Sequence, residues 1–221
     1  MNLLLTFLEI ILYFGILLLM NKLFKKQGVY ICMCIASILA NIQVCMCVNL
    51  VGLSTTLGNV LFAVNFLATD ILNEYYGKEE AKTGVKLGIA SIIIYIIISQ
   101  MTLLFTPNEF DIVYDSLKNI FTLNFRVCVS SLVMYAIANY CDVVLYSKLK
   151  KLKKWQKNNI CTILCNSLEN FGFVFLAFAG IYDFNLMLEI AITTTIIEIV
   201  IALFDTPFLY LAKPKNDGQY I

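Results

Sequence analysis

Long apolar runs separated by short lysine clusters dominate this sequence. A helix needs about 20 apolar residues to cross a hydrocarbon core about 30 Å thick. The runs predict helices at about 3–24, 29–51, 57–76, 85–105, 123–146, 160–181 and 186–212. Because 60% of the residues are hydrophobic and 14% are charged, a soluble domain is excluded. The sequence therefore predicts an all-α, polytopic membrane helix bundle with about seven transmembrane helices, forming a single integral membrane domain over residues 1–221.

The lysines give this bundle an orientation. They cluster after the first, third, fifth and seventh predicted helices, whereas the other connections contain one lysine and several acids. Lysine-rich connections face the cytoplasm in membrane proteins. The pattern predicts that the N-terminus lies outside and the C-terminus inside, in a multi-pass protein of the cytoplasmic membrane.

The composition also limits the chemistry. A net charge of +1 gives no sign of a nucleic-acid partner. The chain has no histidine, the commonest metal ligand and general base, and no phosphate loop or catalytic triad. We therefore expect recognition rather than catalysis, with no cofactor and no metal. A metal-dependent intramembrane enzyme built on Asp70, Glu74 and Asp142 is an alternative, because clustered carboxylates bind Mg²⁺.

Polar side chains inside the apolar runs are candidate ligand contacts, because an ionisable group at membrane depth is costly unless it faces a cavity or a partner. The rise of about 1.5 Å per residue sorts them into two layers. Near the middle of the bilayer we expect Asn41, Gln43, Asn65, Asn139, Asn166, Glu169, Asn170 and Glu198. Nearer the cytoplasmic ends we expect Asp70, Glu74, Asp142 and Asp205, and Arg126 falls near the outer end of its helix.

Two interpretations of these side chains are open. Asn and Gln often join membrane helices by hydrogen bonds, and the inner acids could pair with nearby lysines. Glu169 and Glu198 fit this interpretation poorly, because no lysine or arginine shares their depth. Carboxylates and amides can also bind the donor edge of a planar heterocycle. Aromatic side chains could then stack on the ring, with candidates Tyr75, Tyr76, Tyr135 and Phe171.

Several motifs together resemble the queuosine-precursor transporter family, also called the vitamin uptake transporter family. The most specific is Thr69-Asp-Ile-Leu-Asn-Glu-Tyr-Tyr-Gly77. Others are Ala40-Asn-Ile-Gln43, Thr56-Leu-Gly-Asn59 and Asp205-Thr-Pro-Phe-Leu-Tyr-Leu-Ala-Lys213. The resemblance covers a family core at about 29–212 and leaves an extra N-terminal helix at about 3–24.

The resemblance implies an importer of 7-deazaguanine bases, the queuosine precursors used to modify the tRNA wobble base. It implies a secondary transporter or facilitator, with a small-molecule base and the lipid bilayer as partners. Two further points are open. The chain could be the substrate-binding subunit of an ATPase-coupled vitamin transporter, with Ala36 and Ala40 packing on a partner helix. A homodimer is compatible with so small a chain.

The chain departs from the family pattern on its last three helices. Glu198 stands where the family usually has lysine, and Ala138-Asn139 stands where it usually has Ser-Gln. Cys165-Asn166 and Glu169-Asn170 replace the usual Ser-Gln and Asp-Thr. The exchange of lysine for glutamate changes the local charge by about two units. We therefore expect preQ1 or queuine, which carry an amine, to be favoured over the neutral nitrile preQ0.

Overall fold

The computed structural model describes residues 1–148 and 154–213, leaving aside the side chains at 136, 139, 140, 142–144, 146–148, 154–163, 166, 202, 203, 205 and 206. In chain order the elements are α1 (Asn2–Gln43), β1 (Cys47–Leu50), β2 (Leu53–Thr56), α2 (Asn59–Tyr75), α3 (Lys78–Thr102), α4 (Tyr114–Lys148), α5 (Lys154–Phe178) and α6 (Phe184–Leu211). The helical bundle predicted from the sequence is confirmed, with one short β-hairpin added.

Helix α1 is a helical hairpin. Lys25 takes a non-helical conformation, with φ 52° and ψ −139°, and the chain reverses there. A straight helix of 42 residues would be about 63 Å long, yet the Asn2 side chain donates to the carbonyl of Asn49 at 2.9 Å. The two arms, 2–24 and 26–43, are called α1a and α1b below. The break falls where the sequence separates its first two helices.

Polar contacts mark the end of the bundle at which α1 reverses. Lys26 forms an ion pair with Glu80 at 2.9 Å. Asn21 donates to the carbonyl of Ala212 at 2.8 Å and accepts from the Tyr76 hydroxyl at 2.7 Å. Three lysine-rich connections, all predicted to be cytoplasmic, therefore lie together. Which end faces the cytoplasm is still a prediction.

Three of the described helical segments are long and apolar enough to cross a membrane. Within the described residues, α1, α3 and the segment 184–201 of α6 meet this condition by length and hydropathy. Large apolar side chains cover their outer faces, for example Leu12 on α1a, Ile98 on α3 and Ile196 on α6, which are 53–60% exposed. Such a surface suits contact with lipid. The chain is a multi-pass membrane protein.

The β-hairpin corrects the sequence prediction at the end of α1. We expected helix through residue 51, but α1 ends at Gln43 and two antiparallel strands follow, with Val48 opposite Thr55. Hydropathy alone cannot separate a short apolar strand from a helix end. The stronger signal is the two-residue turn at Val51 and Gly52, both of which have positive φ, at 52° and 85°. This is the type I′ turn of tight hairpins.

Val51 is strained in this turn, because a β-branched residue rarely adopts positive φ. We expect Val51→Asn to raise the free energy of unfolding by about 1 kcal/mol, since asparagine tolerates this conformation. Thermal unfolding of the detergent-solubilised protein measures the change. Val48→Asn is the control, since Val48 lies within β1 and should gain nothing. Equal or lower stability of Val51→Asn would contradict the strain.

Two apolar clusters hold the bundle together. The first joins α1, α2 and the C-terminal part of α6, with Phe14, Leu67 and Ile71 fully buried. The second joins α4, α5 and the start of α6 around Phe178 and Ile190. Helix α6 belongs to both clusters. It therefore lines the space between the α1–α2 half and the α4–α5 half of the bundle.

Candidate functional site

A central cavity occupies the space between these two halves. Its volume is about 50 Å³, which is below the roughly 300–1,000 Å³ of small-molecule sites. The cavity is bounded by the residue after α1b, by β2 and by helices α2, α4, α5 and α6. Its lining residues are Val44, Thr56, Asn59, Phe62, Phe66, Ser131, Glu169, Asn170, Phe173, Val174, Thr194 and Glu198.

The wall formed by α5 and α6 carries a directed hydrogen-bond network. The amide nitrogen of Asn170 donates to Glu198 Oε2 at 2.7 Å and to Thr195 Oγ1 at 3.3 Å. The Thr195 hydroxyl donates in turn to the carbonyl of Ala191 at 2.8 Å. Asn170 is 8% exposed, so these bonds satisfy an amide largely removed from solvent. The network fixes one oxygen of the Glu198 carboxylate.

Glu169 supplies a second carboxylate to the same cavity. Glu169 and Glu198 both line the cavity, and neither lysine nor arginine occurs among the described residues that line it. Two like charges at membrane depth repel each other and are poorly solvated. A cationic or donor-rich ligand would relieve both effects. The cavity is therefore chemically suited to a ligand with N–H donors or an ammonium group.

The opposite wall comes from β2 and the start of α2. Asn59 donates to the Thr56 carbonyl at 3.1 Å, and Thr55 shares a hydrogen bond of 3.3 Å with Thr194 on α6. Gly58 allows this arrangement, because it has φ 97° and a Cβ there would lie 2.8 Å from the carbonyl oxygen of Ala40. The motif Thr56-Leu-Gly-Asn59 thus builds one side of the cavity.

Aromatic side chains complete the lining at Phe62 and Phe66 on α2 and Phe173 on α5. These are not the stacking candidates taken from the sequence. Tyr75 donates to the Leu209 carbonyl at 2.9 Å and Tyr76 to Asn21, so both lie at the end of α2 away from the cavity. Phe171 packs against the second apolar cluster. A planar ligand would meet phenylalanine faces.

Of the thirteen predicted site residues, the structure brings Glu169, Asn170 and Glu198 together at the cavity. Asn139, Asp142, Asn166 and Asp205 lie outside the described side chains. The other six are described and do not line the cavity: Asn41, Gln43, Asn65, Asp70, Glu74 and Arg126.

Three of these six form hydrogen bonds within the protein. Asn65 donates to Ser37 at 3.2 Å and joins α2 to α1b. Asn41 donates to the Ser37 carbonyl at 2.8 Å and is fully buried. Arg126 donates to the Leu176 carbonyl at 2.9 Å. The contacts of Asn65 and Arg126 match the alternative in which polar side chains join membrane helices, whereas Asn41 bonds within its own arm, α1b.

The remaining three lie nearer the surface of the bundle. Asp70 and Glu74 are exposed on the last turns of α2, at the end where α1 reverses. Gln43 is half-buried. We therefore assign the candidate ligand contacts to the Glu169–Asn170–Glu198 group rather than to the Asp70 face.

Four polar residues of the cavity were not among the predicted site residues: Thr56, Asn59, Ser131 and Thr194. Short hydroxyl side chains give little signal in an apolar run, because they also bond to their own helix. Asn59 had one available signal, since it closes the Thr56-Leu-Gly-Asn59 motif. That motif was used to identify the family and not to locate the site.

Apolar helices around a central cavity with two carboxylates in its wall are typical of a multi-pass membrane transporter. Residues 56–212 match the family model described as "Putative vitamin uptake transporter". The chain belongs to this family, which comprises transporters rather than enzymes, and its place is the cell membrane.

Curated relatives carry a more specific name. A "Probable queuosine precursor transporter" of Bacillus subtilis is 36% identical over 208 residues, covering 92% of this chain and 91% of the relative. A protein of the same name from Haemophilus influenzae is 29% identical over 103 residues, covering 46% of this chain and 42% of the relative. No solved structure matches the chain. The resemblance to the queuosine-precursor transporter family is confirmed.

Proposed function

We propose that this protein imports queuosine precursors and favours the amine-bearing bases preQ1 and queuine over the nitrile preQ0. The observation that carries the preference is the pair of carboxylates, Glu169 and Glu198, in a cavity lined by no cationic residue within the described part of the chain. One carboxylate can accept parallel N–H bonds from the amide and amino edge of the base. The other can accept from the ammonium group.

The aromatic side chains of the cavity support a planar ligand. Phe62 and Phe66 lie on α2 and Phe173 on α5, so they can contact a base that enters between the two helices. Aromatic faces stack on heterocycles and add little discrimination among them. Selectivity between bases therefore falls to the polar wall of α5 and α6.

We propose a secondary transporter or facilitator as the mechanism. The cavity lies between two halves of the bundle, each with its own apolar cluster, and a relative movement of the halves could open it to each side in turn. Binding a proton is a second way to relieve the repulsion between Glu169 and Glu198, so proton coupling is part of the proposal. Asp70 and Glu74, with Asp142 and Asp205, would act at the inner opening.

The alternative of an ATPase-coupled subunit loses the observation that suggested it. Ala36 and Ala40 are 3% and 0% exposed, and they belong to the apolar cluster of α1 and α2. They pack inside this chain and are not available to a helix of a partner protein.

Uptake into proteoliposomes containing only the purified chain tests the proposal. We expect labelled queuine to accumulate without ATP, unlabelled preQ1 to compete, and preQ0 to compete more weakly. An inward pH gradient should raise the rate if transport is coupled to protons. Absence of uptake by the pure chain would contradict the secondary mechanism. Equal competition by the nitrile and amine bases would contradict the preference.

A further inference from the structure

We propose that Asn170 is a positioning residue, which holds the Glu198 carboxylate in the orientation that selects amine-bearing bases. This inference rests on the proposed function. It concerns Asn170, which acts on the ligand through Glu198. Asn170 donates to Glu198 Oε2 at 2.7 Å and to Thr195 Oγ1 at 3.3 Å. Both N–H groups of its amide are therefore used.

Thr195 determines which way the Asn170 amide points. The Thr195 hydroxyl has one proton, and it donates that proton to the Ala191 carbonyl at 2.8 Å. Towards Asn170 it can only accept, so the amide nitrogen must face Thr195. The same orientation directs the second N–H to Glu198, and the reversed amide would place two acceptors against each other. The Ala191 carbonyl of α6 thus determines, through Thr195, the orientation of the Asn170 amide.

The consequence for the ligand is an acceptor oxygen held in one position. With Oε2 held by Asn170, the other oxygen of Glu198, Oε1, remains for a ligand donor in the cavity. The only polar atom of Asn170 not used in the network is its Oδ1, which is also an acceptor. The α5–α6 wall therefore favours a ligand that donates hydrogen bonds.

Two variants test the chain of contacts at different points. Asn170→Ser is too short to reach Glu198, and Thr195→Val keeps the shape of the side chain but removes the acceptor that orients the amide. The matched control is Thr193→Val, the same substitution at a buried threonine of α6 that does not line the cavity. Thr195→Ser restores the hydroxyl and should rescue the effect of Thr195→Val.

The measured quantity is the preference for the amine base, the ratio of Vmax/KM for preQ1 to that for preQ0 in proteoliposomes. We expect Asn170→Ser to lower this ratio at least fivefold and Thr195→Val about threefold. Thr195→Ser should stay within twofold of the wild type, as should Thr193→Val. An equal fall in uptake of both bases, with an unchanged ratio, would show a merely structural role and overturn the proposal.

Infrared spectroscopy reads the same contact without transport. In protein labelled with ¹³C-glutamate, the Glu198 carboxylate band is identified by its loss in Glu198→Gln. We expect Asn170→Ser to shift this band and Thr193→Val to leave it unchanged. No shift in Asn170→Ser would overturn the positioning role whatever the substrate. A shifted band in a protein that transports neither base would contradict the proposed function and leave the positioning role standing.

Discussion

Replacing Glu198 with lysine is expected to reverse the base preference of this transporter. The new ammonium group would lie in the same cavity as Glu169 and would pair with it. The lysine that the family usually has at this position could form the same pair. The cavity then offers no uncompensated carboxylate to the amine of preQ1 or queuine. We expect uptake of the amine-bearing bases to fall at least tenfold relative to preQ0.

The expected size follows from the hydrogen bond that is lost. A hydrogen bond to a charged group contributes about 1.5–3 kcal/mol, and ~1.4 kcal/mol corresponds to a factor of ten in affinity. The nitrile base carries no charge and loses no ion pair, so its uptake should change less. Concentrations of preQ0 and preQ1 that halve the uptake of labelled queuine measure the preference in each variant.

Two comparison variants separate charge position from charge alone. Glu79→Lys makes the same change of two units at an exposed residue of α3 and should leave the preference as it is. Glu198→Gln removes the charge without adding a cation. Its preference for the amine-bearing bases should lie between that of the wild type and that of Glu198→Lys. The charge hypothesis fails if Glu198→Lys and Glu79→Lys show the same preference between the bases.

The sequence predicts the bundle well because hydropathy and helix length are nearly sufficient in a membrane. The break at Lys25 and the grouping of the first, second and C-terminal lysine-rich connections follow from the positions of the lysines. The hairpin at 47–56 was missed, because four-residue apolar strands carry no length signal. Only the conformation of Val51 and Gly52 distinguishes them from a helix end.

The sequence could predict candidate site residues only where burial of the side chain costs much free energy, as it does for a carboxylate. Glu169 and Glu198 were found because a carboxylate at membrane depth needs a special environment. Asn65 and Asn170 are the same residue type at similar depth, yet one joins two helices through Ser37 and the other holds Glu198. Nothing in an asparagine's own position separates these uses. The difference depends on the residues that the fold places opposite each one.

Gly28→Val is expected to disrupt the α1 hairpin and with it the folded transporter. A Cβ at residue 28 would lie 2.7 Å from the backbone carbonyl carbon of Met20 and closer still to its oxygen. Backbone atoms of α1a cannot rotate away as a side chain would, so α1a and α1b must separate. We expect a loss of about 3 kcal/mol in the free energy of unfolding, measured as a lower melting temperature in detergent.

The consequence extends beyond α1, because the α1a arm is bonded to the rest of the bundle near its end. Separation of the arms would draw Asn21 away from Tyr76 and from the Ala212 carbonyl, which would leave the last turn of α6 unsatisfied. Gly15→Ala is the matched control, since a Cβ there meets nothing within 4 Å and alanine favours a helix by about 1 kcal/mol. Equal melting temperatures for Gly28→Val and the wild type would show that α1a is not packed against α1b.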